Sequence, residues 1–246
     1  MAEIIVCEDG RDQATGIIIE TAARLDSRIK HFHLPFGARG PGSSRNLGIT
    51  STNCEWVAFL DDDDRWFSDK IRLQVNFTVD SDVVCANALR SSGGMYFRGT
   101  QARTLSRRGL LLSNLVITST CMVRRAALEA IGGFSTDFAL LGVEDYECWL
   151  RLVDSGACFT YLDRPVIEYA DQGDDRLSAR TAALADLVAR IAWRRAIRER
   201  TDAICWAAAG RHTVTMGATR VRRAARQSSE LASRRNPHIH WRSPPT

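Results

Sequence analysis

The stretch Trp56-Val57-Ala58-Phe59-Leu60-Asp61-Asp62-Asp63-Asp64-Arg65-Trp66 decides how the chain is read. An apolar run with β-branched and aromatic members is the mark of a buried strand. The carboxylates that follow therefore emerge at the strand's carboxyl end, where open α/β sheets hold their ligands. Like charges side by side repel one another. A divalent cation removes that repulsion, and hard carboxylate oxygens suit Mg2+ or Mn2+ best. The segment predicts a metal site for a phosphorylated substrate, with a solvated acidic turn as the plainer alternative.

Working outward from it, strands and helices alternate. Upstream lie a strand at Ile4–Cys7, a helix over Thr15–Leu25 and a strand at Ile29–Leu34. A glycine-rich loop (Gly37, Gly40, Pro41, Gly42) then leads to a short helix that Ser43 or Ser44 can cap and that carries Arg45, Asn46 and Leu47. Downstream, a helix over Ser68–Val75 precedes a strand at Val83–Ala88. This alternation predicts an α/β fold, a doubly wound and mainly parallel sheet flanked by helices. Further on come a strand at Thr118–Val123, a helix over Arg124–Ile131 stopped by Gly132-Gly133, and a helix from Glu144-Asp145 to Gly156. Strands at Cys158–Leu162 and Val166–Tyr169 close a domain placed at 1–178. Residues 179–246 read as a basic helical extension ending, from Ser228, in a polar, proline-bearing disordered tail.

Composition narrows the classes. A chain of 246 residues, 45% hydrophobic and 25% charged, is an ordinary soluble protein large enough for its own core. Seven scattered cysteines with no C-x-x-C pair argue for reduced thiols in a cytosolic setting, not a disulfide framework or a zinc-cysteine site. No signal peptide is expected, since Glu3, Glu8 and Asp9 break the first apolar stretch, and Leu110–Val123 is too short and polar to span a bilayer. The net charge of +4 hides an asymmetry: 176–246 hold 15 arginines against four acidic residues, while the rest carries net −7. The acidic main domain and the lack of any RNA or DNA motif exclude nucleic acid as the expected partner.

Five stretches carry a resemblance. They are Glu3-Ile-Ile-Val-Cys-Glu-Asp-Gly10, Gly42-Ser-Ser-Arg-Asn-Leu-Gly48, Val57-Ala-Phe-Leu-Asp-Asp-Asp-Asp-Arg-Trp66, Ile131-Gly-Gly-Phe134 and Gly142-Val-Glu-Asp-Tyr-Glu-Cys-Trp-Leu-Arg-Leu152. Each is loose alone. In this order, over about residues 3–178, the chain resembles the family 2 inverting glycosyltransferases of the GT-A fold. The resemblance implies transfer of a sugar from a nucleotide-diphosphate donor, UDP first and GDP or dTDP next, to a glycan, lipid-linked or small-molecule acceptor.

It also implies roles. Asp9, with Arg45, Asp61 and Asp62, would meet the donor. Asp63 and Asp61 match the ends of the family's D-x-D motif and would hold Mg2+ or Mn2+. Asp145 matches the catalytic base, with Glu144 the weaker candidate. One base suffices, because a metal-bound diphosphate leaves without a proton, unlike the leaving group of glycoside hydrolysis. Trp149 and Tyr146 could stack on an acceptor sugar, although at helical spacing such residues more often belong to a core. Neither Cys148 nor His31 and His33 reads as functional; the two histidines alternate on a strand as structural residues do, and His238 and His240 fall in the tail.

Departures from the family set the alternatives. The family's first strand and its Thr/Tyr-Asn-rich loop, which line the nucleobase pocket, have no counterpart ahead of Ile4. The expectation is a start placed too late or a degenerate copy, and the competing function is a catalytically inactive GT-A-like binding or assembly partner. The family's additional metal-binding histidine is missing from Tyr169–Ser178, where Asp171 is the stand-in. The Q-x-x-R-W signature of processive members is also missing, so a single transfer is expected. The basic helix with Trp193, Ile197 and Trp206 suggests peripheral contact with the inner face of the plasma membrane.

Overall fold

The computed structural model describes residues 2–10, 12–99, 104–172 and 181–235. Two compact units emerge, Met1–Ala179 and Arg180–Thr246.

The first unit opens with a β-α-β turn: β1 (Ile4–Glu8), α1 (Gln13–Leu25) and β2 (Ile29–His33). The strands pair in parallel, Ile4 opposite Ile29 and Glu8 opposite His33. Asp12 caps α1, accepting the Thr15 N–H at 2.8 Å. Pro41 then starts α2 (Pro41–Thr50), whose preset φ suits a first helical position.

The remaining elements are β3 (Trp56–Ala58), β4 (Arg65–Trp66), α3 (Lys70–Gln74), β5 (Val83–Arg90), β6 (Thr104–Leu105), α4 (Arg107–Leu112), β7 (Met122–Arg124), α5 (Arg125–Ala130), α6 (Glu144–Asp154) and β8 (Phe159–Tyr169). They build a six-stranded sheet in the order β3-β7-β5-β8-β4, with β6 also paired to β8. The α/β class expected from the sequence is what the chain adopts. Its pairing directions differ from the expectation of a mainly parallel sheet. Among the described residues only β1–β2 and β5–β8 run parallel, while β3–β7, β5–β7, β4–β8 and β6–β8 are antiparallel. Parallel neighbours need a helical crossover between them, and the two- and three-residue strands β4, β6 and β7 enter from loops instead.

The core centres on the β5–β8 pair, where Ala86, Ala88, Val166 and Ile167 pack together. The first six residues of β5 are buried, as are Cys148, Trp149, Leu150 and Leu152 of α6. A polar strap ties α3 to β5 and to the turn before β7. Lys70 Nζ donates to Gln74 Oε1 at 2.6 Å, and Gln74 Nε2 donates to the carbonyls of Val84 and Thr120 at 2.9 and 2.7 Å. Burial lowers Lys70 to a pKa of about 8. Two local expectations changed: Cys158–Leu162 and Val166–Tyr169 form one strand, and Thr118–Thr120 is a single helical turn ahead of β7.

The two-stranded sheet stands apart from the six-stranded one. Among the described residues β1 pairs only with β2, and β3 only with β7.

The second unit is α7 (Thr181–Arg198) and α8 (Ala203–Arg235). Small residues such as Ala189, Ala192, Ala196, Ala208 and Ala209 are buried, and Trp193 packs edge-on against Trp206 with centroids 5.7 Å apart. The tail expected to fray from Ser228 is helical as far as Arg235, and 236–246, with His238 and His240, lie outside the described residues. Among the described residues no helix is long and apolar enough to cross a membrane.

Candidate functional site

Helix α2 places the first functional pair. Arg45 points one way, donating from NH1 to Glu144 Oε1 at 2.9 Å and from NH2 to Asp61 Oδ1 at 2.8 Å. Its guanidinium also sits 5.3 Å from the centroid of the Phe134 ring. Burial opposes this charge, but Asp61, Asp145 and Glu144 outweigh it and hold the Arg45 pKa above its usual value.

Asn46 points the other way and fixes the loop that carries Phe134. Its Nδ2 donates to the Phe134 carbonyl and its Oδ1 accepts the Phe134 N–H, each at 2.8 Å. That grip explains the neighbouring glycine. Gly133 has φ +72°, and a Cβ there would collide with the Asn46 side chain. A Cβ on Gly42 would likewise collide with the Ser135 carbonyl, so α2 and this loop touch backbone to backbone. The Arg-Asn and Gly-Gly-Phe stretches thus form one joint.

The aspartate run turns at the end of β3, closed by the Asp64 N–H on the Asp61 carbonyl at 3.1 Å. Asp62 and Asp63 are exposed, and Asp61 is held by Arg45 with a side chain 40% exposed. Asp64 faces inward. Its Oδ1 accepts the Ala170 N–H at 3.0 Å. Burial raises its pKa, the charges of Asp63 and Asp61 add to the rise, and hydrogen bonds from Ser119 and the Ala170 N–H oppose it. A half-buried carboxylate next to exposed aspartates is a donor set of hard oxygens, and it fits Mg2+ or Mn2+.

Asp145 begins α6. Its Oδ1 accepts the Tyr146 N–H at 2.6 Å, and its Oδ2 accepts from Thr118 Oγ1 at 3.3 Å. Burial pushes its pKa up to about 6, the Glu144 charge adds to the rise, and Arg45 opposes it. Glu144, 5% exposed, has both oxygens engaged, Oε1 by Arg45 and Oε2 by the Gly142 N–H at 2.7 Å.

Thr118 and Ser119, which the sequence did not single out, hydrogen-bond to Asp145 and to the Asp61 backbone. Ser119 Oγ accepts the Asp61 N–H at 3.0 Å, so one buried turn holds both Asp61 and Asp145. The signal was three hydroxyl residues, Thr118-Ser119-Thr120, inside an apolar run. Asp9 lies just past β1 and accepts the Gly40 N–H at 2.6 Å, which ties the end of that strand to the glycine loop.

Two expectations are corrected. Trp149 and Tyr146, expected to stack on an acceptor, are 0% and 3% exposed. Tyr146 donates its hydroxyl to the carbonyls of Leu110 and Leu111, and Trp149 packs edge-on against Phe134, so the helical stripe turned both into the core. Asp171 is not turned to the aspartate run either. Ser91, Ser92 and Arg90 surround it, and the Ser92 and Ser91 hydrogen bonds lower its pKa to about 2. Residues 173–178 of that stretch lie outside the described residues.

A family model, Glycosyl transferase family 2, matches residues 2–132. Among curated proteins, an Escherichia coli UDP-Glc:alpha-D-GlcNAc-diphosphoundecaprenol beta-1,3-glucosyltransferase, WfaP, is 25% identical over 63% of this chain and 59% of its own length. The chain spans between 11% and 59% of the length of such curated relatives. Two solved structures share the fold: Staphylococcus aureus TarS 1-349 in complex with UDP-GlcNAc and a Pyrobaculum calidifontis mannosyltransferase in complex with GDP-Man and Mn2+. For TarS the TM-score is 0.60 at 19% identity, covering 77% of this chain and 56% of that one. For the mannosyltransferase it is 0.59 at 16% identity, covering 94% and 70%. The fold is GT-A.

Proposed function

The chain belongs to glycosyl transferase family 2, and on that premise we propose that it moves one sugar from a nucleotide-diphosphate donor to an acceptor hydroxyl with inversion. The observation that carries the reading is the Arg45 bridge between Asp61 and Glu144, with Asp145 beside it at a pKa of about 6. A carboxylate with that value is ionised at neutral pH yet basic enough to accept a proton from an attacking hydroxyl. Asp145 is therefore the base. Thr118 and the Tyr146 N–H aim it, and Glu144, fully engaged, positions Arg45. Asp9 and Asp62 meet the donor's base or sugar, Asp9 at the junction of β1 and the glycine loop. Asp63 and Asp61, backed by the inward-facing Asp64, would hold Mg2+ or Mn2+. Bound there, the cation supplies neutralising charge to the diphosphate.

UDP is the preferred donor nucleotide, supported by the names of WfaP and the TarS complex, and a lipid-linked glycan is the preferred acceptor, supported by the diphosphoundecaprenol in WfaP's name. Such an acceptor places the protein in the cytoplasm against the inner face of the membrane. Trp193, Ile197 and Trp206 are exposed on the arginine-rich α7 and α8, which suits contact with anionic lipid.

Calorimetric titration with UDP, GDP and dTDP, with and without Mn2+, tests the reading in parent and Asp63→Ala. Manganese-dependent UDP binding that disappears in the variant is expected. A folded chain that binds none of the three would favour the second reading, an inactive binding partner. The pairing of β1 with β2 alone and of β3 with β7 alone among the described residues supports that alternative.

A further inference from the structure

We propose that Glu8, His31 and His33 form a transition-metal site, most suited to Zn2+, that clamps β1 to β2. It is separate from the aspartate run and independent of the glycosyl-transfer reading.

The three side chains converge from two strands. His31 and His33 stand two apart on β2 and so share a face, and parallel pairing sets Glu8 directly opposite His33. Glu8 Oε2 lies 3.1 Å from His31 Nε2 and 3.4 Å from His33 Nδ1. The three ligand atoms all fall within 4.8 Å of one another. Tetrahedral zinc, with bonds of about 2.0–2.1 Å to imidazole nitrogen and carboxylate oxygen, spaces neighbouring ligand atoms about 3.3–3.4 Å apart. The Glu8–His33 distance matches that edge, and the Glu8–His31 distance, a hydrogen bond without the ion, falls about 0.2–0.3 Å short of it. Small ring rotations suffice to bring the two imidazoles, whose centroids are 4.4 Å apart, to the same spacing.

The surroundings suit a metal as well. Glu8 and His31 have side chains only 11% and 13% exposed, whereas His33 is 42% exposed, so one side of the cluster is dry and the other open to a water as fourth ligand. The second oxygen of Glu8 accepts the Asp12 N–H at 2.8 Å, the outer hydrogen bond that fixes a ligating carboxylate. Two imidazoles and one carboxylate favour zinc, copper or nickel over Mg2+ and Mn2+. The chain would then carry two cation sites of different chemistry. A bound ion here joins β1, β2 and, through Asp12, the start of α1, a region in which no helix residue is buried.

The test titrates Zn2+ into the chelator-stripped full chain in excess Mg2+, for the parent, Asp63→Ala and His33→Ala. The expected result is one zinc bound equally by parent and Asp63→Ala, with affinity at least about tenfold weaker in His33→Ala. Equal affinity in parent and His33→Ala would overturn the site and send the ion elsewhere, for instance to Glu199, Asp202 and Cys205, which also cluster. Should His33→Ala fold poorly, X-ray absorption of the zinc-loaded parent decides without it. Two imidazoles in the first coordination sphere are expected, and sulfur or fewer than two imidazoles would refute the proposal.

Discussion

The two ends of the site are held in different ways. Around Arg45 and Asp145, charged and polar groups are cross-braced from several elements: α2, the turn before β7, the loop carrying Phe134 and the start of α6. Around Asp9, by contrast, the frame is two strands and one helix, tied to α2 and to the glycine loop before it. No residue of α1 is buried, Ile17, Ile18 and Leu25 of that helix are exposed, and β1 has one strand neighbour. Chemistry needs fixed geometry and perturbed acidity, which burial and bracing supply. Recognition of a flexible nucleotide tolerates a looser frame that the ligand itself can order.

The contrast is sharpest at Asp145. Asp145→Asn is expected to lower transfer by about 10²–10⁴-fold, the usual contribution of a positioned base. It should also change stability in a pH-dependent direction. The folded value near 6 exceeds the ordinary aspartate value of about 3.9, so the stability this group contributes is full below that lower value and is lost as pH rises through 6. Asn cannot ionise, so the variant should gain about 2 kcal/mol relative to the parent between pH 4 and pH 8. Denaturant melts at the two pH values check this, and parallel curves for both proteins would mean that Asp145 is not held in a costly environment. Transfer by the parent should fall off below about pH 6 as the base protonates.

Arg45→Met attacks the brace itself. It leaves Glu144, buried at 5% exposure, without its partner, and such a break costs about 3–5 kcal/mol. A loss under about 1 kcal/mol in urea unfolding would place the bridge in the class of exposed ion pairs. Gly133→Ala is next. A side chain at φ +72° costs about 1–3 kcal/mol and the clash with Asn46 adds overpacking, so a total of about 2–4 kcal/mol is expected. Asn46→Gly in the same chain should relieve the clash but not the backbone strain, so the two substitutions should be non-additive.

How much of this was legible in the sequence follows the same division. The aspartate run stood out because its chemistry is local, strand and then charge, whereas Asp145 and the Arg-Asn and Gly-Gly-Phe stretches stood out only through the resemblance to a family. What escaped depended on partners distant in sequence. Thr118 and Ser119 look like interruptions of an apolar run until β3 and α6 close over them. Tyr146 and Trp149 sit beside the base in sequence, but helical spacing carries their rings into the core. The direction of each strand pairing depended on loops whose path no periodicity records, and the inward turn of Asp64 is visible only once the Ala170 N–H meets it.

The smallest expected effect is the most direct measure of the contrast. Without ligand, amides of β1, α1 and β2 should exchange with solvent through openings of lower free energy than amides of β5, which is largely buried, and of the β8 residues paired to it. Because few apolar contacts must break, a gap of a few kcal/mol is enough to separate the two groups by orders of magnitude in rate. UDP with Mn2+ should slow exchange at the end of β1 near Asp9 more than anywhere in β5, since a ligand stabilises most what was least ordered. Uniform protection across both sheets, with or without nucleotide, would show that the two-stranded sheet unfolds only with the whole unit, and the distinction between a braced and a loose end would fall.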